Sequence, residues 1–268
     1  MRFPSIGVLA LLLSAGCAAV RPPSPALPAS LPASVDLVAA LERQRSARTS
    51  LRALARFAYD GPDDGGHARQ VLLVARPERL RVEVLAPLGP VFVLVTNGSS
   101  LAAFVPSEAT IYRGRASRVN LQRYAQVELD LADAVDLLLG SPPRRPTGRE
   151  VVSAEPESGA IKLWREIPDG PHSGAQVVWF NGALQAIATE DRDPDGHVRL
   201  RARFSGFLTQ QLDMPEHIEI ELPAAGRRME LRLQDVEVNP MLVASVFTLP
   251  TPPGATEVDL GEAGGAES

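Results

Sequence analysis

The residues whose types could do chemistry are few and scattered. Asp191, Asp193 and Asp195, followed by Gly196, spell the first half of a calcium loop, with Val198 where an EF-hand has its apolar residue. The position for the bidentate carboxylate is Ala202, and both flanks alternate as strands do, so no helix–loop–helix is available. A calcium-binding hairpin and a solvated acidic turn remain as readings, and Pro194-Asp195-Gly196 favours the turn. His67, His172, His197 and His217 fall near turns and at no ligand spacing, so no metal site is expected. There is no Gly-x-Ser-x-Gly, and nothing singles out an acid–base pair among the dispersed Asp and Glu. Arg113, Arg115, Arg118 and Arg123 could meet lipid headgroups or form a solvated loop, the plainer reading. The expectation is a protein that is not an enzyme and needs no cofactor.

The remaining reactive residue is Cys17. It is the single Cys of 268 residues, which excludes an intrachain disulfide and a Cys-built metal site. Before it stand Met1-Arg2, the apolar run from Ile6 to Leu13, and Ser14-Ala15-Gly16. The run is too short to span a bilayer and is placed as a signal peptide over residues 1–16. The stretch resembles a bacterial lipoprotein signal, with Ala15 and Gly16 matching the small residues before the lipidated Cys and Ser14 standing where Leu is usual. That resemblance implies that Cys17 carries acyl chains, each adding about 0.8 kcal/mol per buried CH₂. Ala18, rather than Asp, follows the Cys. In the terms of the same resemblance this implies a periplasm-facing anchor in the outer membrane.

Composition fits a globular domain behind such an anchor. Hydrophobic residues are 45% and charged residues 22% of the chain, enough for a core without staples. A net charge of −5, spread along the chain, argues against nucleic acid, and 8 Phe, 3 Tyr and 2 Trp supply no stacking platform. Residues 17–33 recur in Pro too often for helix or sheet and read as a semi-extended tether. Ser34 can cap a helix over 35–48, whose apolar stripe includes Leu37, Val38 and Leu41.

A β meander follows. Residues 51–59 read as a strand, and three more runs lie within 70–96. Leu80, Val82 and Val84 alternate with charges, whereas 71–75 and 91–95 are apolar at every position and need cover on both faces. Asn97-Gly98 marks a tight hairpin. Leu131, Ala134, Val135 and Leu138 at i, i+3, i+4, i+7 give a second helix, with Asp130 at its start and Gly140 just past its end. From 151 to 238 strands recur about every ten residues. In the last of them Val236 and Val238 fall out of phase with Met229, Leu231 and Leu233, which predicts a β-bulge near Gln234-Asp235. The expected fold is α+β, one strongly curved, incomplete antiparallel half-barrel with two helices covering its concave face. It spans 34–260, with a disordered tail at 261–268.

This order of parts, closing on Val246-Phe247-Thr248-Leu249-Pro250-Thr251-Pro252-Pro253-Gly254, resembles the LolA/LolB-like lipoprotein-localisation superfamily, whose members end in a similar Phe-x-x-Pro-x-x-Gly phrase. The resemblance implies a half-barrel whose concave apolar face holds acyl chains. Leu80, Val82, Val84, Val91 and Val93 become candidates for its lining. In the receptor branch a Leu on a protruding loop between two early strands delivers cargo to the membrane, and Pro87-Leu88-Gly89 matches it, making Leu88 the candidate insertion tip. The implied function is lipoprotein or lipid transfer to the outer membrane by a monomer. Its partners would be the membrane itself, lipoprotein acyl chains or another lipid, and a periplasmic carrier protein. The alternative is an envelope interaction or sensor module that fills its cavity and binds a protein at its rim or sheet edge.

Overall fold

The computed structural model describes residues 30–62, 65–125 and 129–261. The signal segment, Cys17, most of the tether and residues 262–268 of the tail lie outside them. In chain order the elements are α1 (Ser34–Ala47), β1 (Ser50–Asp60), β2 (Gly65–Ala75), β3 (Arg79–Ala86), β4 (Gly89–Thr96), β5 (Ser100–Val105) and β6 (Thr110–Arg115). Two helices interrupt the strands, α2 (Arg118–Ala125) and α3 (Leu131–Leu138). Then come β7 (Glu150–Ala154), β8 (Ile161–Ile167), β9 (Gly174–Phe180), β10 (Ala186–Arg192), β11 (Val198–Leu208), β12 (Met214–Leu222), β13 (Arg227–Val238) and β14 (Thr256–Asp259).

The 14 strands of the described residues form one sheet in the order β14-β6-β5-β4-β3-β2-β1-β13-β12-β11-β10-β9-β8-β7. It is strongly curled and does not close. Two meanders, β1–β6 and β7–β13, are joined where β1 pairs with β13, so the first and last long strands lie at the centre. The pairs are antiparallel except β14, which runs parallel to β6. The expected bulge is present. Arg52 faces Glu237 but Leu54 faces Gln234, Asp235 takes φ 48°, and Val236 and Val238 return to the core.

The helices lie on the concave face. Through α1, Leu37 packs on Ile161, Leu163, Val178 and Phe180 of β8 and β9. Val178 faces Thr189, which faces Ala202, and Ala202 belongs to the core cluster that Leu121, Leu131 and Val135 of α2 and α3 share with the central strands. Among the described residues three helices are therefore present where the sequence reading has two. The additional one, α2, has few apolar residues and no strong periodicity, and residues 113–123 read as a loop. Ser34 is not the cap expected of it. It is the first helical residue, and Ala33 occupies the N-cap without a side-chain hydrogen bond.

The all-apolar β4 is explained by cover on both faces. Phe92 and Leu94 point inward, while Val93 and Val95 pack on the convex side against Phe247, which is buried. The chain after β13 crosses that convex face, where Arg81 donates to the Val246 carbonyl (3.1 Å) and Arg113 to the Leu249 carbonyl (2.7 Å). No helix among the described residues is long and apolar enough to cross a membrane.

Candidate functional site

The inward residues of the central strands stack in rows, because directly paired residues share a face. The floor is Leu51, Val74, Leu80, Thr96 and Leu101, and above it run Ala53, Leu72, Val82, Leu94 and Ala103. The third row is Leu233, Ala55, Gln70, Val84 and Phe92, and the fourth is Leu231, Phe57 and Ala68. Burial falls off along this axis. Leu51, Leu72, Val74, Leu80 and Leu94 are buried, whereas Phe57, Tyr59, Ala68, Val84 and Phe92 are half-buried. The curled sheet is therefore filled at its floor and open toward the ends of β1 and β3.

Between these rows and the helices lies an apolar cavity of about 320 Å³. That is at the lower end for small-molecule sites. Leu72, Leu80, Val82, Val84, Phe92 and Leu94 form one wall, Ile220, Met229 and Leu231 another, and Leu121, Tyr124, Ala134 and Leu138 of the two helices, with Leu129 between them, the lid. Tyr124 rests against Tyr112, with ring centroids 5.1 Å apart.

The candidate lining residues divide by strand parity. Leu80, Val82 and Val84 are in the cavity wall. Val91 and Val93 are not, which corrects the expectation. Val84 pairs with Phe92 and Val82 with Leu94, so the even-numbered residues of β4 face inward. Val93 lies on the other face against Phe247, and Val91 is 48% exposed near the hairpin tip. An all-apolar strand hides its own parity; the alternation of β3 and the pairing of its neighbour would have revealed it. The walls from β12, β13 and the helices, and the polar Gln70, were not singled out from the sequence.

Leu88 occupies the β3–β4 turn and is fully exposed, at 104%. Pro87, Pro90 and Val91 beside it are also exposed, so the tip presents a small apolar surface. It lies at the end of β3 toward which the cavity opens.

Charge on α3 fixes the lid helix to the scaffold. Ala134 and Leu138 face the cavity, while Asp133 and Asp136 point away from it. Asp133 receives both Nη atoms of Arg145 (2.7 and 2.5 Å), and Asp191 receives Nε and Nη2 of the same guanidinium (2.9 and 2.6 Å). Gln176 donates to Asp191 at 3.1 Å. Desolvation opposes the Arg145 charge, but the hydrogen bonds and charges of Asp133 and Asp191 outweigh it and hold its pKa above the usual guanidinium value. Burial pushes the Asp191 carboxyl up against the pull of Arg145. Asp136 pairs with both Arg45 of α1 and Arg76 of the β2–β3 turn. Behind α3, the buried Arg48 donates to the carbonyls of Gly140 (3.0 Å) and Asp213 (2.9 Å). Burial first, then the nearby Arg76, lowers its pKa to about 10.

The acidic turn is thereby resolved in part. Asp191, which would be the first calcium-loop ligand, is bound to Arg145, whereas Asp193 accepts the backbone N–H of His197 at 2.8 Å and lies near Asp195 and His197. A second group, Asp130, Asp133 and His172, also comes together, with His172 2.9 Å from Asp130 and Asp133 held by Arg145. In the basic group, Arg113 pairs with Glu257 at 3.1 Å, and Arg118 and Arg123 lie on α2.

No protein-family profile matches the chain, and no curated protein matches it in sequence. Solved structures do match in fold. A LolA superfamily protein from Nitrosomonas europaea superposes with TM-score 0.53 at 18% identity, covering 80% of this chain and 97% of that one. A DUF1329 family protein from Desulfovibrio piger gives TM-score 0.55 at 13% identity, covering 82% and 98%. A domain assigned as an outer membrane lipoprotein-sorting protein from Vibrio parahaemolyticus gives 0.52 at 15%, covering 78% and 95%. The chain has the LolA/LolB-like fold.

Proposed function

We propose that this protein is a lipid-anchored component of the bacterial envelope that binds acyl chains in its half-barrel and serves in lipoprotein or lipid transfer to the outer membrane. Residues 34–260 are the binding domain, residues 17–33 the tether, and Cys17 the point of lipid attachment, facing the periplasm. The observation that carries the reading is the apolar cavity of about 320 Å³, whose open end is also the end at which the exposed Leu88 protrudes. Each methylene moved from water into that cavity contributes about 0.8 kcal/mol, before the cost of association. Leu72, Val82, Leu94 and Leu231 of the walls and Leu121 and Leu138 of the lid offer a chain apolar contact. Leu88 then enters the periplasm-facing leaflet of the outer membrane, bringing the mouth to the bilayer, and a periplasmic carrier hands over the cargo. The fold shared with a LolA superfamily protein and a lipoprotein-sorting domain supports the same reading.

The test is uptake of an environment-sensitive fluorescent fatty acid by the chain carrying Cys17→Ala, which removes the anchor lipid. Saturable uptake approaching one probe per chain is expected. A folded protein that takes up no probe would be the interaction module instead, and the carrier reading would be wrong.

A further inference from the structure

Apart from Tyr59 and Tyr124, the cavity wall is apolar except at Gln70. Gln70 is 5% exposed, and its side-chain amide makes no hydrogen bond with any described residue. Its cross-strand neighbours are Ala55 and Val84, neither of which can pair with it, and its backbone belongs to the β1–β2–β3 ladder. The polar atoms of the amide keep some accessible surface, which in a side chain this enclosed opens onto the cavity; an apolar occupant that covered them without a hydrogen bond would do so at a cost that a Leu at the same position would avoid. An unpartnered donor and acceptor facing a cavity therefore describes the occupant as well as the wall.

We propose that Gln70 recognises the carbonyl of an acyl ester or acyl amide, Nε2–H donating to the carbonyl oxygen. This rests on the acyl-chain reading above and adds that the occupant carries a carbonyl and enters tail first. The position in the rows sets the orientation. Gln70 lies one row inside Phe57 and Ala68; below it come Leu72, Val82 and Leu94 and then Val74, Leu80 and Leu101, and the one polar member of that floor row, Thr96, does not line the cavity. A chain whose carbonyl meets Gln70 runs its methylenes toward that floor and leaves its headgroup at the open end. For an amide-linked chain, Gln70 Oε1 is placed to accept the ligand's N–H as well. A free hydrocarbon would leave the amide unpaired.

The experiment compares methyl palmitate with hexadecane as competitors of a fluorescent acyl probe, on the Cys17→Ala chain and on the same chain with Gln70→Leu. The ester should lose about three- to tenfold in affinity on Gln70→Leu, the worth of one neutral hydrogen bond, while hexadecane binds as well or better. In parallel, the ester carbonyl stretch of methyl palmitate bound to the Gln70 protein should move to lower wavenumber than in liquid alkane. That readout needs no variant and decides the matter if Gln70→Leu fails to fold. Equal or tighter ester binding by Gln70→Leu, or an alkane-like carbonyl stretch, overturns the proposal. If the Gln70 protein binds neither competitor, the acyl-chain reading falls with it; if it binds both and Gln70→Leu changes neither, only the role of Gln70 falls.

Discussion

Filling the cavity from its lid separates a binding site from a mere void. Ala134 is half-buried on α3, and its side chain faces the apolar space. In Ala134→Phe the ring projects into a volume of about 320 Å³. It takes the room of roughly three to four methylenes, and at about 0.8 kcal/mol each the occupant loses about 3 kcal/mol. That is roughly two orders of magnitude in Kd. Stability should move the other way or stay level. The ring gains up to about 1.5–3 kcal/mol from burial, against a few tenths for the weaker helix propensity of Phe. Urea unfolding and titration with a fluorescent fatty acid on the same preparation read both effects. A stable Ala134→Phe protein with undiminished affinity would show that the chain does not lie against α3, and the assignment of this cavity would be wrong.

The remaining expectations concern the tip, the clamp, the convex face and acid. Leu88→Glu should leave unfolding free energy within about 0.5 kcal/mol, since the side chain is fully exposed, but lower association with phospholipid vesicles about tenfold or more; unchanged flotation with vesicles would remove Leu88 from membrane contact. Arg145→Met leaves Asp133 and Asp191 buried without their cation and should cost about 3–5 kcal/mol by urea unfolding; a loss under 1 kcal/mol would mean that water reaches the cluster. Phe247→Ala should cost about 3–5 kcal/mol and speed amide exchange in β14, because Phe247 fastens the returning chain to Val93 and Val95. Glu190 is desolvated, but hydrogen bonds from Arg201 and Arg192 more than compensate and hold its carboxyl below its ordinary value of 4.5. Its stabilisation is therefore present above about pH 4.5 and is lost as pH falls through the lower folded value. Glu190→Gln should weaken the neutral protein and flatten its acid loss, and an identical pH profile would deny Glu190 that part.

Much of the sheet was legible because one wet face leaves a period of two. Leu80, Val82 and Val84, like Leu200, Ala202 and Phe204, announce their inward side, and the phase break at Val236 located a bulge that the structure places at Asp235. Where both faces are covered, that information is erased. Val93 and Phe92 are equally apolar, and only pairing with β3 tells which one meets the cavity. The clamp was hidden for another reason. Asp133, Arg145 and Asp191 are far apart in sequence, and Asp191 reads locally as part of an acidic turn until the fold brings Arg145 to it. Gln70, in a strand of mixed character, carried no signal until its neighbours proved unable to bond it.

An acyl chain bound as proposed lies between the central strands and α3. Photo-crosslinking tests it most directly, with a fatty acid bearing a diazirine near its methyl end and peptide mapping of the adducts. Adducts are expected on the cavity floor and lid, at Leu72, Leu80, Leu94 and Leu138. Adducts confined to the convex face around Phe247 or to α1, or none under saturating probe, would contradict it.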